Sequence, residues 1–172
     1  MSELSLTILP ETPGDATAIE RLHERTFGPG RYARSAYRIR EGRGHLLDLS
    51  FTARIGTLMI GSVRLTPVAI GEAAALLLGP LTVEPPFRSR GVGSVLITKA
   101  LAEAKAKGHK LVLLVGDEPY YAKAGFKRIP KGQVQMPGPV DPARLLVHEL
   151  AAGAFDANVK GMIRPDWEIQ KA

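Results

Sequence analysis

The chain has 172 residues, 45% of them hydrophobic and 23% charged, with a formal net charge of +6. This composition excludes a disordered or fibrous chain, and at this length one domain spanning residues 1–172 buries about two-thirds of its unfolded surface. The longest apolar stretch, Ala73 to Val83, is eleven residues interrupted by Gly79-Pro80. It is too short for a membrane span, and Glu3 stands where a secretory signal carries bases.

The absence of cysteine removes disulfide scaffolds, thiolate zinc sites, iron–sulfur ligation and a cysteine nucleophile. Together with the missing export signal it points to the cytoplasm. His23, His45, His109 and His148 show no short His-x-x-x-His spacing, and no serine sits in a Gly-x-Ser-x-Gly elbow. Metal-assisted and serine hydrolysis are therefore disfavoured, and no metal is expected.

In chain order, Leu4 to Leu9 alternates apolar and polar residues and ends at Pro10, as a first strand does. Asp15 is the expected cap of a helix to about Phe27, with Ile19, Leu22 and Arg25-Thr26 on one side and Gly28-Pro29-Gly30 as its stop. Arg31 to Arg40 reads as a weaker helix carrying Tyr32 and Tyr37 as packing residues. Two alternating runs, Leu49 to Ile55 and Thr57 to Ala69, join at Gly56, and Ala73 to Val83 follows Gly71-Glu72, which suggests an antiparallel meander. From Gly91 to about Lys107 the period becomes helical, with Val92, Val95, Leu96 and Ala100 on one face and Gly108 as the stop. Leu111 to Val115 is a continuous apolar run, typical of a strand buried on both faces, and strand, helix, strand implies a right-handed crossover with parallel pairing. A short helix from Glu118 to Ala124 and a strand from Phe126 to Ile129 follow. Arg144 to Leu150 suits a last strand, although Asp141-Pro142 also suits a helix start. Beyond Ala151 only Trp167 stands out, as a packing residue.

Between Arg88 and Lys131 there are ten Lys/Arg against three Asp/Glu, a local balance of +7. Such a run suits an anionic partner, whether phosphorylated cofactor, nucleic acid or acidic membrane, and equally a solvated helix face. An aromatic share of only 6%, with no stacking motif near the basic run, argues against an RNA-binding domain.

Within that run, Arg88-Ser89-Arg90-Gly91-Val92-Gly93-Ser94 opens the second long helix. Unpaired amides, the positive end of the helix dipole, small residues and two arginines are what a phosphate group requires. The same residues also describe a plain strand-to-helix turn with two glycines. A dinucleotide fingerprint would need a third glycine where Leu96 stands, and a P-loop would need Gly-Lys-Ser/Thr; neither is present.

Arg88-x-x-Gly91-x-Gly93 after an apolar strand, followed some thirty residues later by Tyr120-Tyr121-Ala-Lys-Ala-Gly125-Phe126, resembles the GNAT superfamily of N-acetyltransferases. The wording of Leu78-Gly-Pro-Leu-Thr-Val83 and Leu114-Val-Gly-Asp-Glu-Pro-Tyr-Tyr121 is similar to a bacterial branch of predicted acetyltransferases in it. The resemblance is strong from about residue 49 to 129 and looser at both ends. It implies a mixed α/β fold with a central mixed sheet of about six to seven strands flanked by helices.

The resemblance further implies acetyl-CoA as cosubstrate. Its pantetheine arm would pair with the backbone of Leu81, Thr82 and Val83, and its pyrophosphate would take the amides of Arg88, Ser89, Arg90, Gly91, Val92, Gly93 and Ser94. Strand Leu111 to Val115 would splay away, with Gly116 at the divergence. Tyr121 occupies the position of the usual general acid, where a phenol with pKa about 10 protonates the departing thiolate; Tyr120 competes for that place. Glu84 is the nearest carboxylate to serve as base, with a solvent-facing role or a water chain as alternatives. Ala124 departs from the larger residue often found in the family. The implied reaction is direct acetyl transfer to a primary amine in a ternary complex, with no acyl-enzyme, no specific nucleic acid and no membrane involved. Acceptor selectivity would lie in residues 31–43 and the tail. A non-catalytic acyl-CoA-binding sensor and a basic RNA-binding domain are the rival classes.

Overall fold

A computed structural model of the chain describes residues 5–27 and 44–165. The expected helix at Arg31 to Arg40, the tyrosines on it, the selectivity segment and Trp167 lie outside the described residues. Along the chain run β1 (Leu6–Pro10), α1 (Ala16–Phe27), β2 (Phe51–Ile55), β3 (Leu58–Ile70), β4 (Ala73–Val83), α2 (Val92–Ala106), β5 (Leu111–Val115), α3 (Glu118–Tyr121), β6 (Lys127–Arg128), β7 (Val134–Gln135), β8 (Leu145–Glu149) and β9 (Gly161–Pro165). The main path of the sheet is β1-β2-β3-β4-β5-β8-β6, with β9 joined to β3 and β7 joined to β9.

The meander expected from alternation is present: β1 to β4 pair antiparallel in sequence order. The β4, α2, β5 crossover gives a parallel pair, Leu76 with Val112 and Leu77 with Leu113. Residues 145–149 form a strand between β5 and β6, which decides the open reading of Arg144 to Leu150, but it is not the last one. β7 and β9 escaped the sequence: the first has two residues, and the second lies in the tail and pairs with β3 at Val68, Ala69 and Ile70.

The start of α1 differs from expectation. Asp15 is not the cap; it lies in a 3-10 turn, Pro13–Asp15, and its carboxylate takes the amide of Thr12 at 2.8 Å and pairs with Arg54 at 2.6 Å. The inner face of α2 also differs. Leu96, Ala100 and Ala104 are fully buried, and Ile97 and Leu101 nearly so, whereas Val95 is 42% exposed. At roughly 100° per residue, three steps from Val92 rotate away from an arc centred on Leu96 and Ile97.

The two faces of the sheet carry separate cores. Under α2, Leu96, Ile97 and Ala100 pack on Phe51, Ala53, Val63, Leu65, Leu78, Val112 and Leu114. On the opposite face, Val68, Ile70, Leu77 and Leu113 lie beneath Val134, Met136, Val159 and Ile163. β4 and β5 therefore sit mid-sheet, covered on both sides, which fixes the frame in which their divergence matters.

Candidate functional site

The pairing of β4 with β5 stops at Leu77 and Leu113. Beyond it β4 contains an extra residue relative to β3: Leu78 faces Leu65, while Leu81 faces Val63, which places a bulge at Gly79-Pro80. A bulge bends its strand and ends regular pairing. Leu81, Thr82 and Val83 remain paired with β3 alone. Since the amide of Glu84 bonds back to Ile60 O, alternation directs the polar groups of Leu81 and Val83 toward the open side. This is the divergence expected beside Gly116.

The turn after β4 runs through a 3-10 segment, Pro85–Phe87, into α2. Gly91 is the residue before the helix, at φ 83, and nothing lies within 4 Å of where a side-chain carbon would start there. Ser89 is also left-handed, at φ 64, a backbone cost of the kind that collects at ligand loops. The first helical bond runs from Val95 N to Gly91 O, so the amides of Val92, Gly93 and Ser94 have no partner inside the helix. Arg88 does not extend freely: its Nε donates to Val83 O at 3.2 Å, while Arg90 lies over the Phe87 ring.

Both tyrosines reach this region from α3. The Tyr121 ring packs on Gly116, where an added Cβ would meet its Cε2 at 2.3 Å, and stands edge-on to Phe126 with ring centres 6.0 Å apart. Tyr120 meets Tyr121 at 90° with centres 4.9 Å apart and reaches Gly93. Gly93 was expected to admit a phosphate; its open direction is filled by the Tyr120 hydroxyl.

Glu84 does not simply face solvent. Its side chain is 17% exposed, and Oε1 accepts from both Nε (2.7 Å) and Nη2 of Arg25 on α1. Arg25 was not among the expected site residues, since no local pattern joins positions 59 apart in sequence. On the same strand, the Thr82 hydroxyl is buried without a hydrogen-bond partner, and so is that of Ser62 directly opposite it. Of the basic run, Lys99, Lys107, Lys127 and Arg128 are paired with Glu103, Asp48, Glu149 and Glu118. Asp48 and Glu149 come from outside the run and offset two of its seven excess positive charges; Glu103 and Glu118 are already part of that balance. Among the described residues no group of three or more His, Asp or Glu side chains gathers as a metal site, and no helix is long and apolar enough to cross a membrane.

An elongated ligand with a diphosphate fits these residues: free first-turn amides, open space at Gly91 and an unpaired edge of β4. A mixed sheet split between its fourth and fifth strands, with a glycine-led helix at the split, defines the GNAT acyltransferase fold. The model of the acetyltransferase (GNAT) domain matches residues 48–128. An uncharacterized N-acetyltransferase, YhbS, of Escherichia coli (strain K12) is 28% identical over 160 residues, covering 92% of this chain and 95% of the relative. The crystal structure of E. coli YhbS in complex with CoA superposes with a TM-score of 0.80 at 26% identity, over 99% of this chain and 94% of that one. A GNAT family acetyltransferase from Brucella melitensis, in complex with acetyl-CoA, gives 0.63 at 28% identity, over 90% and 100%. Over residues 48–128 and in its fold the chain is thus similar to the GNAT family of N-acetyltransferases.

Proposed function

We propose that this protein transfers the acetyl group of acetyl-CoA directly to a primary amine. The observation that carries the reading is the early end of β4–β5 pairing beside a helix whose first amides are free. The CoA and acetyl-CoA complexes of similar chains support it.

Acetyl-CoA supplies an activated thioester carbonyl. The amides of Val92, Gly93 and Ser94 hold the diphosphate with the helix dipole behind them, and Arg88 and Arg90 add charge at the mouth of the turn. The polar groups of Leu81 and the amide of Val83 orient the arm as a strand neighbour, the Val83 carbonyl being held by Arg88, and Thr82 anchors that segment to β3. Both Arg25 contacts fall on Glu84 Oε1, which leaves Oε2 to take the proton of the attacking amine. As the new C–N bond forms and the C–S bond breaks, Tyr121 Oη gives its proton to the departing sulfur. The reading takes the chain as one catalytic domain working in the cytoplasm, where acetyl-CoA circulates.

The experiment is calorimetric titration with acetyl-CoA followed by a screen of amino acids, peptides, amino sugars and polyamines, read as free thiol release. Saturable binding with amine-dependent thiol release is the expected result. Binding without turnover across the panel supports a sensor instead, and no binding overturns the reading.

A further inference from the structure

Position 93 is buried in the first turn of α2, and a Cβ built there would lie 2.3 Å from Tyr120 Oη and 3.7 Å from Leu81 Cδ2. Glycine is thus required by a side chain from α3, not by an approaching ligand alone. Tyr120 is 42% exposed, and its hydroxyl makes no hydrogen bond to a described residue. Its ring is braced by Tyr121, edge to face. A phenol held this way keeps a free donor beside the first amides of a helix and beside the open edge of β4. Simple packing does not account for it, because the packing role at α3 is filled by Tyr121, which lies against the core beneath α2.

We propose that Tyr120 is a CoA-binding residue that acts on the pantetheine-side phosphate of the cosubstrate and the start of the arm beyond it, and that Gly93 is glycine in order to seat it. This rests on the acetyl-CoA reading of the site. The phenol donates to an acceptor oxygen of the ligand, and its ring closes the gap between α3 and the start of α2. Phenolic hydroxyls are established donors to phosphate oxygens.

The test is calorimetry with CoA and, separately, with 3′-phosphoadenosine 5′-phosphate, which lacks both the pantetheine-side phosphate and the arm. The proteins are the wild type, Tyr120→Phe, Tyr120→Ala, Gly93→Ala and the double variant Gly93→Ala/Tyr120→Ala, each checked for folding by circular dichroism. Tyr120→Phe, which keeps the ring and so the fold, weakens CoA binding by about threefold to tenfold, the worth of one hydrogen bond. Gly93→Ala weakens it at least about tenfold in the wild-type background and less than about twofold once Tyr120 is alanine, because the displaced group is gone. Affinity for the nucleotide fragment changes little throughout. Equal costs of Gly93→Ala in both backgrounds, unchanged CoA affinity in both Tyr120 variants, or equal loss for the fragment overturns the assignment while leaving the acetyl-CoA reading intact. A wild type that binds no CoA overturns both.

Discussion

Replacing Glu11 with glutamine removes one charge from the most buried ionic cluster of the described chain. The Glu11 side chain is 1% exposed, and its oxygens accept from Arg64 Nε at 3.0 Å and Nη2 at 3.2 Å and lie 2.6 Å from His45 Nε2. Burial alone pushes the Glu11 carboxyl up; the hydrogen bonds and charges of His45 and Arg64 outweigh it and hold the group below the usual carboxylate value. Glutamine keeps the volume but strands a guanidinium that is only 15% exposed. Breaking a buried pair costs about 3–5 kcal/mol, and the remaining solvent contact of Arg64 places this case near about 3 kcal/mol. With a urea slope of about 1–3 kcal/mol/M, the unfolding midpoint at pH 7 falls by about 1–3 M. A depressed folded-state pKa gives stability that is complete above the unfolded value and lost as pH falls through the folded one. The gap between wild type and Glu11→Gln therefore narrows below about pH 4, where the unfolded group also protonates. A midpoint change under about 0.3 M at pH 7, or a gap constant down to pH 3, refutes the reasoning.

Gly91→Val forces a β-branched residue to φ 83 and fills the open side of the turn, so CoA affinity falls at least about tenfold by calorimetry. Tyr121→Phe keeps the ring on Gly116 and removes the proton donor; kcat drops on the order of 10²-fold with CoA affinity nearly unchanged, while Tyr120→Phe lowers kcat much less. Leu96→Ala, at a fully buried position, costs about 2.7–5 kcal/mol in urea unfolding. DNA and RNA bind weakly and without sequence preference in fluorescence anisotropy, and the binding collapses as salt rises.

Much of the sheet was legible because its strands carry their own signal. Ala73 to Val83 and Leu111 to Val115 match β4 and β5 at both ends, since apolar runs bounded by turn residues leave few alternatives. Val95 stands three residues from Val92, a spacing that is not equivalent to four; only the neighbours of α2 decide where the buried arc is centred. β6, Lys127–Arg128, falls inside the strand expected over Phe126 to Ile129, whereas β7 has two residues and exists through its partner β9, so no local pattern announces it. The site divides in the same way. The glycines, arginines and tyrosines cluster along the chain and were visible, whereas the Arg25–Glu84 pair and the Glu11, His45, Arg64 cluster join residues tens of positions apart. The Tyr120–Gly93 contact was hidden too, because a glycine reads alike whether it admits a ligand or a side chain.

The open edge of β4 has a further consequence. An unpaired strand edge is a template for another chain, and sheet proteins ordinarily keep such edges at the periphery and guard them. Here one is placed in the interior, over Leu81 to Val83. It is blunted by its three-residue length, by the bulge before it and by Arg88, which occupies the Val83 carbonyl. The feature that would receive the cosubstrate is thus also a point of aggregation risk. Any ligand that fills the gap acts as a guard strand, and a chain that has lost the Arg88 contact depends on that guard the most.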